Sequence, residues 1–195
     1  PCAVISGRAR GDVAARLADA SAKYVVGNHG IEAGLSEISR FERAIATVKP
    51  LLEQALAPYP GLEIEDKRYS LAIHYRRARR RHNARAAIDA AVTALPRPMR
   101  VIPGKLVANV IPAGARNKGD ILLDLRARES ADIALYVGDD VTDEDVFTLD
   151  QPGRLLAMRV GKTTMSAARF YLRDQGEIDG LLARLVTLRK GRSNR

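Results

Sequence analysis

Apolar and polar segments alternate regularly near the start of the chain. The apolar run Ala3-Val4-Ile5 predicts a strand, and a helix is predicted near residues 10–20. Lys23-Tyr24-Val25-Val26 predicts a second strand, which ends at Gly27-Asn28-His29-Gly30. Strand–helix–strand order of this kind favours a parallel sheet.

The same order returns in the last third of the chain. A predicted helix at Lys118–Arg128 precedes an apolar strand at residues 133–137, and a helix with Thr142 as its N-cap follows. A further strand is predicted near residues 155–160, and a terminal helix near residues 177–188. The two ends of the chain therefore predict an α/β fold with a doubly wound parallel sheet.

The middle of the chain has a different pattern. Its predicted elements are an amphipathic helix, an alternating strand, a second helix and a pair of strands, at residues 42–57, 69–75, 83–95 and 99–111. This mixture predicts an α+β insertion of roughly 70 residues, a size at which small domains fold. We predict a core of residues 1–36 and 113–195, with residues 37–112 forming an inserted cap domain.

Five carboxylates occupy seven positions directly after the 133–137 strand, and they are Asp139, Asp140, Asp143, Glu144 and Asp145. Crowded carboxylates raise one another's pKa unless a cation or solvent relieves the repulsion, and magnesium is the usual oxygen-seeking cation. Asp139 is expected at the carboxyl end of the sheet, with Asp143 facing the same crevice. The alternative is a capped, solvated helix start with no ligand.

Composition narrows the class of protein. The chain of 195 residues carries 32 Lys and Arg against 23 Asp and Glu, and the net charge of +9 attracts anions without distinguishing nucleic acid, acidic lipid and phosphorylated metabolites. It has no apolar stretch of membrane-spanning length and nothing resembling a signal peptide. Cys2 is the single cysteine, which excludes an internal disulfide and fits a reducing compartment. We expect Cys2 to be a small apolar strand residue rather than a nucleophile.

Two segments carry groups suited to phosphate. Ser6-Gly7-Arg8 follows a strand, so its hydroxyl, backbone amides and guanidinium are candidates for holding a phosphate, although an ordinary turn with a capping serine is the alternative. Lys118 begins a helix and is expected near the sheet edge that carries Asp139. An ammonium at that place is a candidate for neutralising a phosphoryl group. The alternative for Lys118 is an ordinary surface lysine.

The predicted cap contains a polar strand face and a basic cluster. Alternation places Ser70, Ala72, His74 and Arg76 on one face of the 69–75 strand and its end, where the histidine is either a ligand or a structural residue. The strongest basic cluster, at residues 76–81, is typical of a solvated edge or loop. Only Arg76, which we predict within the strand itself, is a site candidate.

These segments, in their order and spacing, resemble the trehalose-6-phosphate phosphatases, a family of the haloacid dehalogenase (HAD) superfamily. The resemblance extends from residue 1 to about residue 188 and includes Val4–Arg8, Gly27–Glu32, Glu65–Arg76, Gly104–Val107, Lys118-Gly119 and Gly138–Glu144. The Gly-Asp-Asp-x-Thr-Asp-Glu string together with Leu-Ala-Ile-His-Tyr-Arg is specific, whereas Ser-Gly-Arg alone is not.

The resemblance implies a HAD-like Rossmannoid core with an α/β cap. It also implies a cytoplasmic, magnesium-dependent phosphatase that converts trehalose 6-phosphate to trehalose and phosphate, the last step of trehalose biosynthesis. The partner would be this small-molecule substrate, with no nucleic acid and no membrane, and the protein is expected to be a monomer.

The family's motifs also imply roles for single residues. Ser6 would bind the phosphoryl oxygens, and Lys118 would balance charge on a phosphoaspartate. Asp139 would hold magnesium, with Asp140 as a second ligand and Asp143 in support. The implied substrate-binding residues are Arg8, His29, Gly30, Lys67, His74, Arg76, Lys105 and Asn109.

Two features depart from the family pattern. Asn109 stands where the family usually has a glutamate, which bears on sugar recognition. The Asp-x-Asp-x-Thr motif that supplies the superfamily's aspartate nucleophile is absent, so this chain by itself is expected to be inactive. We expect that motif upstream of Pro1 in a longer phosphatase. The alternatives are a sucrose-phosphate or glycosyl-glycerate-phosphate type of phosphatase, and a catalytically dead relative that binds sugar phosphates.

Overall fold

The computed structural model describes residues 1–18, 20–33, 35–149 and 151–193. By internal packing the chain divides into two compact units, Pro1–Ile121 and Leu122–Arg195. The core and cap boundaries expected from the sequence stay a prediction.

The first unit begins with a strand–helix–strand segment. Strand β1 is Ala3–Ile5, helix α1 is Arg10–Leu17 and strand β2 is Tyr24–Val26. The two strands pair in parallel with Ala3 opposite Tyr24 and Ile5 opposite Val26, as the alternation predicted. Cys2 lies before β1 and is exposed, so the expectation that it is a strand residue is wrong.

An antiparallel sheet and two helices make up the rest of this unit. The helices are α2, Leu35–Leu56, and α3, Arg81–Thr93. The strands are β3, Glu63–Asp66, β4, Leu71–His74, β5, Met99–Gly104, and β6, Val107–Pro112, and their order in the sheet is β3-β4-β6-β5. Strand β3 was not predicted, because only Ile64 of its four residues is apolar.

One face of this sheet packs against both helices. Leu71 and Ile73 of β4 join Ile45 and Leu52 of α2 and Ile88 of α3 in one buried cluster. Because side chains alternate along a strand, Ser70, Ala72 and Asn109 belong to the opposite face. A second cluster around Ile31, Tyr69 and Ile111 covers one end of that opposite face.

Helix α4, Lys118–Arg128, begins in the first unit and ends in the second. The second unit then contains β7, Ala134–Gly138, α5, Glu144–Phe147, β8, Leu155–Val160, β9, Phe170–Leu172, and α6, Gly176–Ser193. Its strands pair in parallel in the order β7-β8-β9. Parallel pairing in both units confirms the α/β class. None of the helices in the described residues has the length and apolar character needed to cross a membrane.

Candidate active site

The segment Ser6–Arg8, called the serine loop below, leaves the end of β1. The Ser6 amide donates to the Val26 carbonyl at 2.9 Å, which extends the β1–β2 pairing by one residue. The Ser6 hydroxyl accepts from the Arg8 amide at 3.2 Å and closes a tight turn. A side chain at Gly7 would overlap the ring of His29, so only glycine lets the two segments approach this closely.

The segment Gly27–Ile31, called the asparagine loop below, follows β2 and packs on the serine loop. The His29 amide donates to the Ser6 carbonyl at 2.9 Å, and the Asn28 amide donates to the Arg8 carbonyl at 2.8 Å. Gly30 has a φ of 112°, and a Cβ at this position would lie 3.0 Å from the Arg116 carbonyl oxygen. The asparagine loop therefore touches both the serine loop and the turn that leads into α4.

Asn28 links the asparagine loop to the β3–β4 turn. It is completely buried, and its Oδ1 accepts a hydrogen bond from the Ser70 hydroxyl at 3.0 Å. Its Nδ2 donates to the Lys67 carbonyl at 3.5 Å. A buried amide needs partners for both its donor and its acceptor, and these two bonds supply them. Lys67 is thereby held at the edge of the loop that carries His29.

The start of α4 is fixed by a reciprocal cap. The Asn117 amide donates to Asp120 Oδ2 at 3.0 Å, and the Asp120 amide donates to Asn117 Oδ1 at 2.9 Å. Lys118 is the first residue of the helix and is only 6 % exposed. The sequence predictions for Ser6, His29, Gly30, Lys67 and Lys118 thus fall on segments that the asparagine loop brings together.

The remaining predicted residues of the first unit lie along the antiparallel sheet. His74 Nε2 pairs with Glu65 Oε2 at 2.9 Å across β3 and β4, and both side chains are partly exposed. Asn109 Nδ2 donates to the Ile102 carbonyl at 3.4 Å on the same face. Lys105 is exposed in the turn between β5 and β6. Arg76 lies in a turn two residues beyond the end of β4, so its predicted place within the strand is wrong.

The segment Asp139–Asp145, called the acidic loop below, follows β7 in the second unit. Asp143 is 2 % exposed, and its Oδ2 accepts hydrogen bonds of 2.7 Å from the amides of both Asp139 and Asp140. Its Oδ1 accepts from the Tyr136 hydroxyl at 2.5 Å. A side chain at Gly138 would overlap the Asp143 carboxylate, so this glycine leaves room for the arrangement. The buried carboxylate of Asp143 therefore shapes the loop from within and does not face a crevice.

The helix start in the acidic loop differs from the sequence prediction. Asp140, not Thr142, is the N-cap, since its carboxylate accepts from the Val141 amide at 2.7 Å and forms a capping box with Asp143. The first turn is a 3₁₀ turn, Val141–Asp143, and α5 begins at Glu144. The Thr142 hydroxyl is buried and finds no partner among the described residues.

Arg159 of β8 holds the acidic loop from its other side. Its guanidinium donates to the Asp139 carbonyl at 2.8 Å and pairs with Glu144 Oε1 at 3.1 Å, with only 18 % of the arginine side chain exposed. Glu144 Oε2 also accepts from the Ala167 amide at 2.9 Å. Opposite charges joined in a half-buried, multiply hydrogen-bonded group are held more firmly than an exposed ion pair.

Burial sets the chemistry of Tyr136. Loss of solvent around the ring, together with the neighbouring Asp143 carboxylate, holds the pKa of the Tyr136 hydroxyl far above its usual value. Tyr136 therefore stays protonated at physiological pH and donates a hydrogen bond to the Asp143 carboxylate. The ring also meets Phe147 edge to face, with centroids 6.0 Å apart.

The acidic loop leaves one carboxylate available for a cation. The Asp139 side chain is exposed and accepts no hydrogen bond from the described part of the chain, while its backbone is held at both ends. Across the described residues, no group of three or more His, Cys, Asp or Glu side chains is arranged to hold a metal. Magnesium keeps several waters and takes one or two protein carboxylates, so Asp139, with Asp140 beside it, fits as a partial ligand set.

Comparison with known proteins decides the family. A family model described as trehalose-phosphatase matches residues 1–174. The chain belongs to the trehalose-phosphatase family. It is 34 % identical over 165 residues to a trehalose-phosphate phosphatase of Mycobacterium tuberculosis, which covers 78 % of this chain and 42 % of the relative. It is also 28 % identical over 227 residues to a probable trehalose-phosphate phosphatase of Oryza sativa, covering 96 % of this chain and 60 % of the relative. The chain thus spans about half the length of these relatives.

Solved structures support the fold of this trehalose-phosphatase family member. A trehalose-6-phosphate phosphatase of Aspergillus fumigatus superposes with a TM-score of 0.62 at 24 % identity, over 94 % of this chain and 76 % of that one. A trehalose-6-phosphate phosphatase related protein superposes with a TM-score of 0.69 at 20 % identity, over 99 % and 82 % of the two chains. The expected HAD-like α/β fold is confirmed by these similarities.

Sequence reasoning missed the contacts of four residues that shape the loops of this trehalose-phosphatase family member. Arg159 and Glu144 tie the acidic loop to β8, Tyr136 anchors Asp143, and Asn28 joins two loops. Two of them carried a usable signal. Arg159 stands near the end of a predicted strand, where the rule that selected Asp139 also applies. Tyr136 is a tyrosine inside an apolar strand, and its buried hydroxyl requires a partner.

Proposed function

We propose that the complete natural reading frame containing this chain encodes an enzyme that hydrolyses trehalose 6-phosphate to trehalose and phosphate with the help of Mg²⁺. The observation that carries the proposal is the convergence of Ser6, His29 and Lys118 around the asparagine loop. A phosphate dianion requires hydroxyl, amide and ammonium donors in a small space, and these three segments provide them. Membership of the trehalose-phosphatase family supports the choice of substrate.

The serine loop and Lys118 would bind the phosphoryl group. The Ser6 hydroxyl and the Gly7 amide would donate to its oxygens, with Arg8 at the exposed side. Lys118 is largely removed from solvent, so its charge is weakly screened and acts strongly on a nearby phosphoryl oxygen. Neither group needs to move, since the loop contacts and the α4 cap already hold both segments.

The acidic loop would hold the metal. Asp139 and Asp140 are the proposed magnesium ligands, and the bound ion would supply positive charge for the reaction. Asp143 would act indirectly and not as a metal ligand, because its carboxylate accepts hydrogen bonds from the amides of the two ligand residues. Its proposed part in catalysis is therefore to set the direction of Asp139.

Sugar recognition would fall on the open end of the asparagine loop and the antiparallel sheet. The proposed residues are His29, Gly30, Lys67, His74, Arg76, Lys105 and Asn109. Asn109 carries an amide, which donates and accepts, where the family usually has an acceptor-only carboxylate. This difference favours a second candidate, a phosphatase of a related sugar phosphate whose hydroxyl arrangement suits an amide.

The test uses the complete natural reading frame that contains this chain. Phosphate release is measured for trehalose 6-phosphate, sucrose 6-phosphate and a glucosylglycerate phosphate, and trehalose 6-phosphate should have the highest kcat/KM. Preference for another of these substrates would favour the second candidate. Binding of trehalose 6-phosphate without turnover would instead indicate a dead relative.

Two substitutions distinguish the loss of a metal ligand from the loss of a negative charge elsewhere in the second unit. Asp139→Asn should abolish magnesium-dependent turnover, because the proposed ligand becomes neutral while its backbone contacts remain. Asp132→Asn, at another exposed aspartate of the second unit, is the matched control and should retain activity. Equal activity in the two variants would exclude Asp139 as the metal ligand.

A further inference from the structure

A pocket of about 650 Å³ lies in the first unit beside the start of α3. One wall is the turn Pro58-Tyr59-Pro60, and the other contains Arg79, Arg80 and Asn83. Tyr59 is 41 % exposed. Ligand pockets for small molecules usually have volumes of about 300–1,000 Å³, so this one has a suitable size.

Small residues leave space for the pocket, and close backbone contacts hold its walls in place. Ala78 and Ala84 also line the pocket, and both are buried. A Cβ at Gly61, where φ is 90°, would lie 2.5 Å from the Arg77 carbonyl, so the two walls touch backbone to backbone at their base. The pocket is therefore part of the packed structure and not a gap between loose side chains.

The two arginines that line the pocket are not neutralised within the described part of the chain. Residues 67–88 contain eight Lys and Arg and no Asp or Glu, and two of these, Arg68 and Arg85, pair with Glu42 and Asp89 outside this range. Within the described residues, Arg79 and Arg80 form no ion pair, and the first turn of α3 contains no acidic residue. The one carboxylate near Arg77 is Glu63 at 3.9 Å, and both of those side chains are highly exposed.

We propose that this pocket binds a small phosphorylated molecule, with the phosphate on Arg79 and Arg80 and the organic part against Tyr59 and its flanking prolines. A guanidinium group matches phosphate oxygens in geometry as well as charge, and two such residues line this pocket. The tyrosine and proline wall offers an apolar surface to a ring or sugar face. A concave pocket with one apolar wall suits a compact ligand better than a long polyanion, which would need only the arginines. The site is separate from the residues assigned to hydrolysis and does not depend on the proposed function.

The test is an amide NMR titration of the chain with phenylphosphonate, a dianion with a flat ring and no ester to hydrolyse. Resonances of Tyr59, Arg79, Arg80, Asn83 and Ala84 should shift together along one saturable curve. Inorganic phosphate should shift the arginines only and bind several-fold more weakly, because it lacks the ring. Residue-resolved shifts distinguish this pocket from phosphate binding at the serine loop.

Two matched variants test whether Arg79 and Arg80 bind the phosphonate group. The double variant Arg79→Gln/Arg80→Gln should weaken phenylphosphonate binding at these resonances by about tenfold or more, since charge-assisted hydrogen bonds are lost. Arg97→Gln, at an exposed arginine in another loop, should leave it unchanged. Three results would overturn the proposal: no saturable shift at the pocket, equal weakening by Arg97→Gln, and a short acidic peptide or oligonucleotide displacing the probe at far lower concentration than any small phosphate.

Discussion

The serine loop and the acidic loop each leave the end of a parallel strand, but they are held in different ways. The serine loop is positioned by close packing, because Gly7 admits the His29 ring and backbone groups of the two loops bond directly. The acidic loop is positioned by charge, because one buried carboxylate, Asp143, collects two amides and a hydroxyl. The serine loop should therefore be destabilised less by the loss of a polar group than by added volume. The acidic loop should be destabilised less by added volume than by the loss of a polar group.

The largest effect is expected at Asp143. Asp143→Ala leaves two amides and the Tyr136 hydroxyl without their acceptor, and should lower the free energy of unfolding by about 3 kcal/mol. Asp139→Ala, four residues away and exposed, should change it by less than about 0.5 kcal/mol. Urea unfolding followed by circular dichroism measures both. Similar losses in the two variants would show that the loop is not organised by the buried carboxylate.

The corresponding test of the serine loop adds a methyl group at Gly7. Gly7→Ala forces the buried His29 ring to move and should cost about 2 kcal/mol of unfolding free energy. Gly11→Ala is the control, because a Cβ there meets nothing within 4 Å and α1 should gain about 0.5–1 kcal/mol from the better helix former. A neutral Gly7→Ala would mean that packing does not position this loop.

Arg159 tests the outer support of the acidic loop. Arg159→Met keeps much of the side-chain volume but loses the bonds to the Asp139 carbonyl and to Glu144, and should cost about 1.5 kcal/mol. In the complete reading frame it should also raise the Mg²⁺ concentration needed for half-maximal turnover, because the loop is less well held. Arg128→Met, which removes only an exposed helical ion pair with Asp124, should change neither quantity appreciably.

The smallest expected effect concerns the pair that joins the asparagine loop to the β3–β4 turn. Ser70→Ala and Asn28→Ala should show a coupling energy of about 1 kcal/mol in a double-mutant cycle, since their side chains bond directly in a buried site. Thermal or urea unfolding of the two single variants and the double variant provides the cycle. Strict additivity would mean that this contact contributes nothing of its own.

The strands and helices were predicted well where hydrophobic periodicity is strong. The predicted bounds of α4, β7 and β8 agree with the structure to within one residue, because each is a regular helix or an apolar run. Strand β9 was missed because Phe170–Leu172 is only three residues long, and Arg76 was misplaced because β4 ends at His74. The strand alternation does not reveal where pairing with a neighbour stops.

For the candidate site, residue types were easier to predict than their roles. Asp139 and Asp143 are indistinguishable as two carboxylates in one motif, yet one is exposed and the other buried. Which carboxylate turns inward depends on Tyr136 and on the space left by Gly138, and neither is visible from the acidic run alone. A position that acts through tertiary contacts without such a signal, such as Asn28, leaves little trace in local sequence.

The buried asparagine at position 28 has an evolutionary consequence. Its φ of 49° favours Asn, Asp or Gly, and its two side-chain bonds require both an acceptor and a donor. Glycine would satisfy the backbone but not the bonds, and aspartate would accept but not donate. Position 28 should therefore vary little among close relatives, and where it does change, position 70 should change with it.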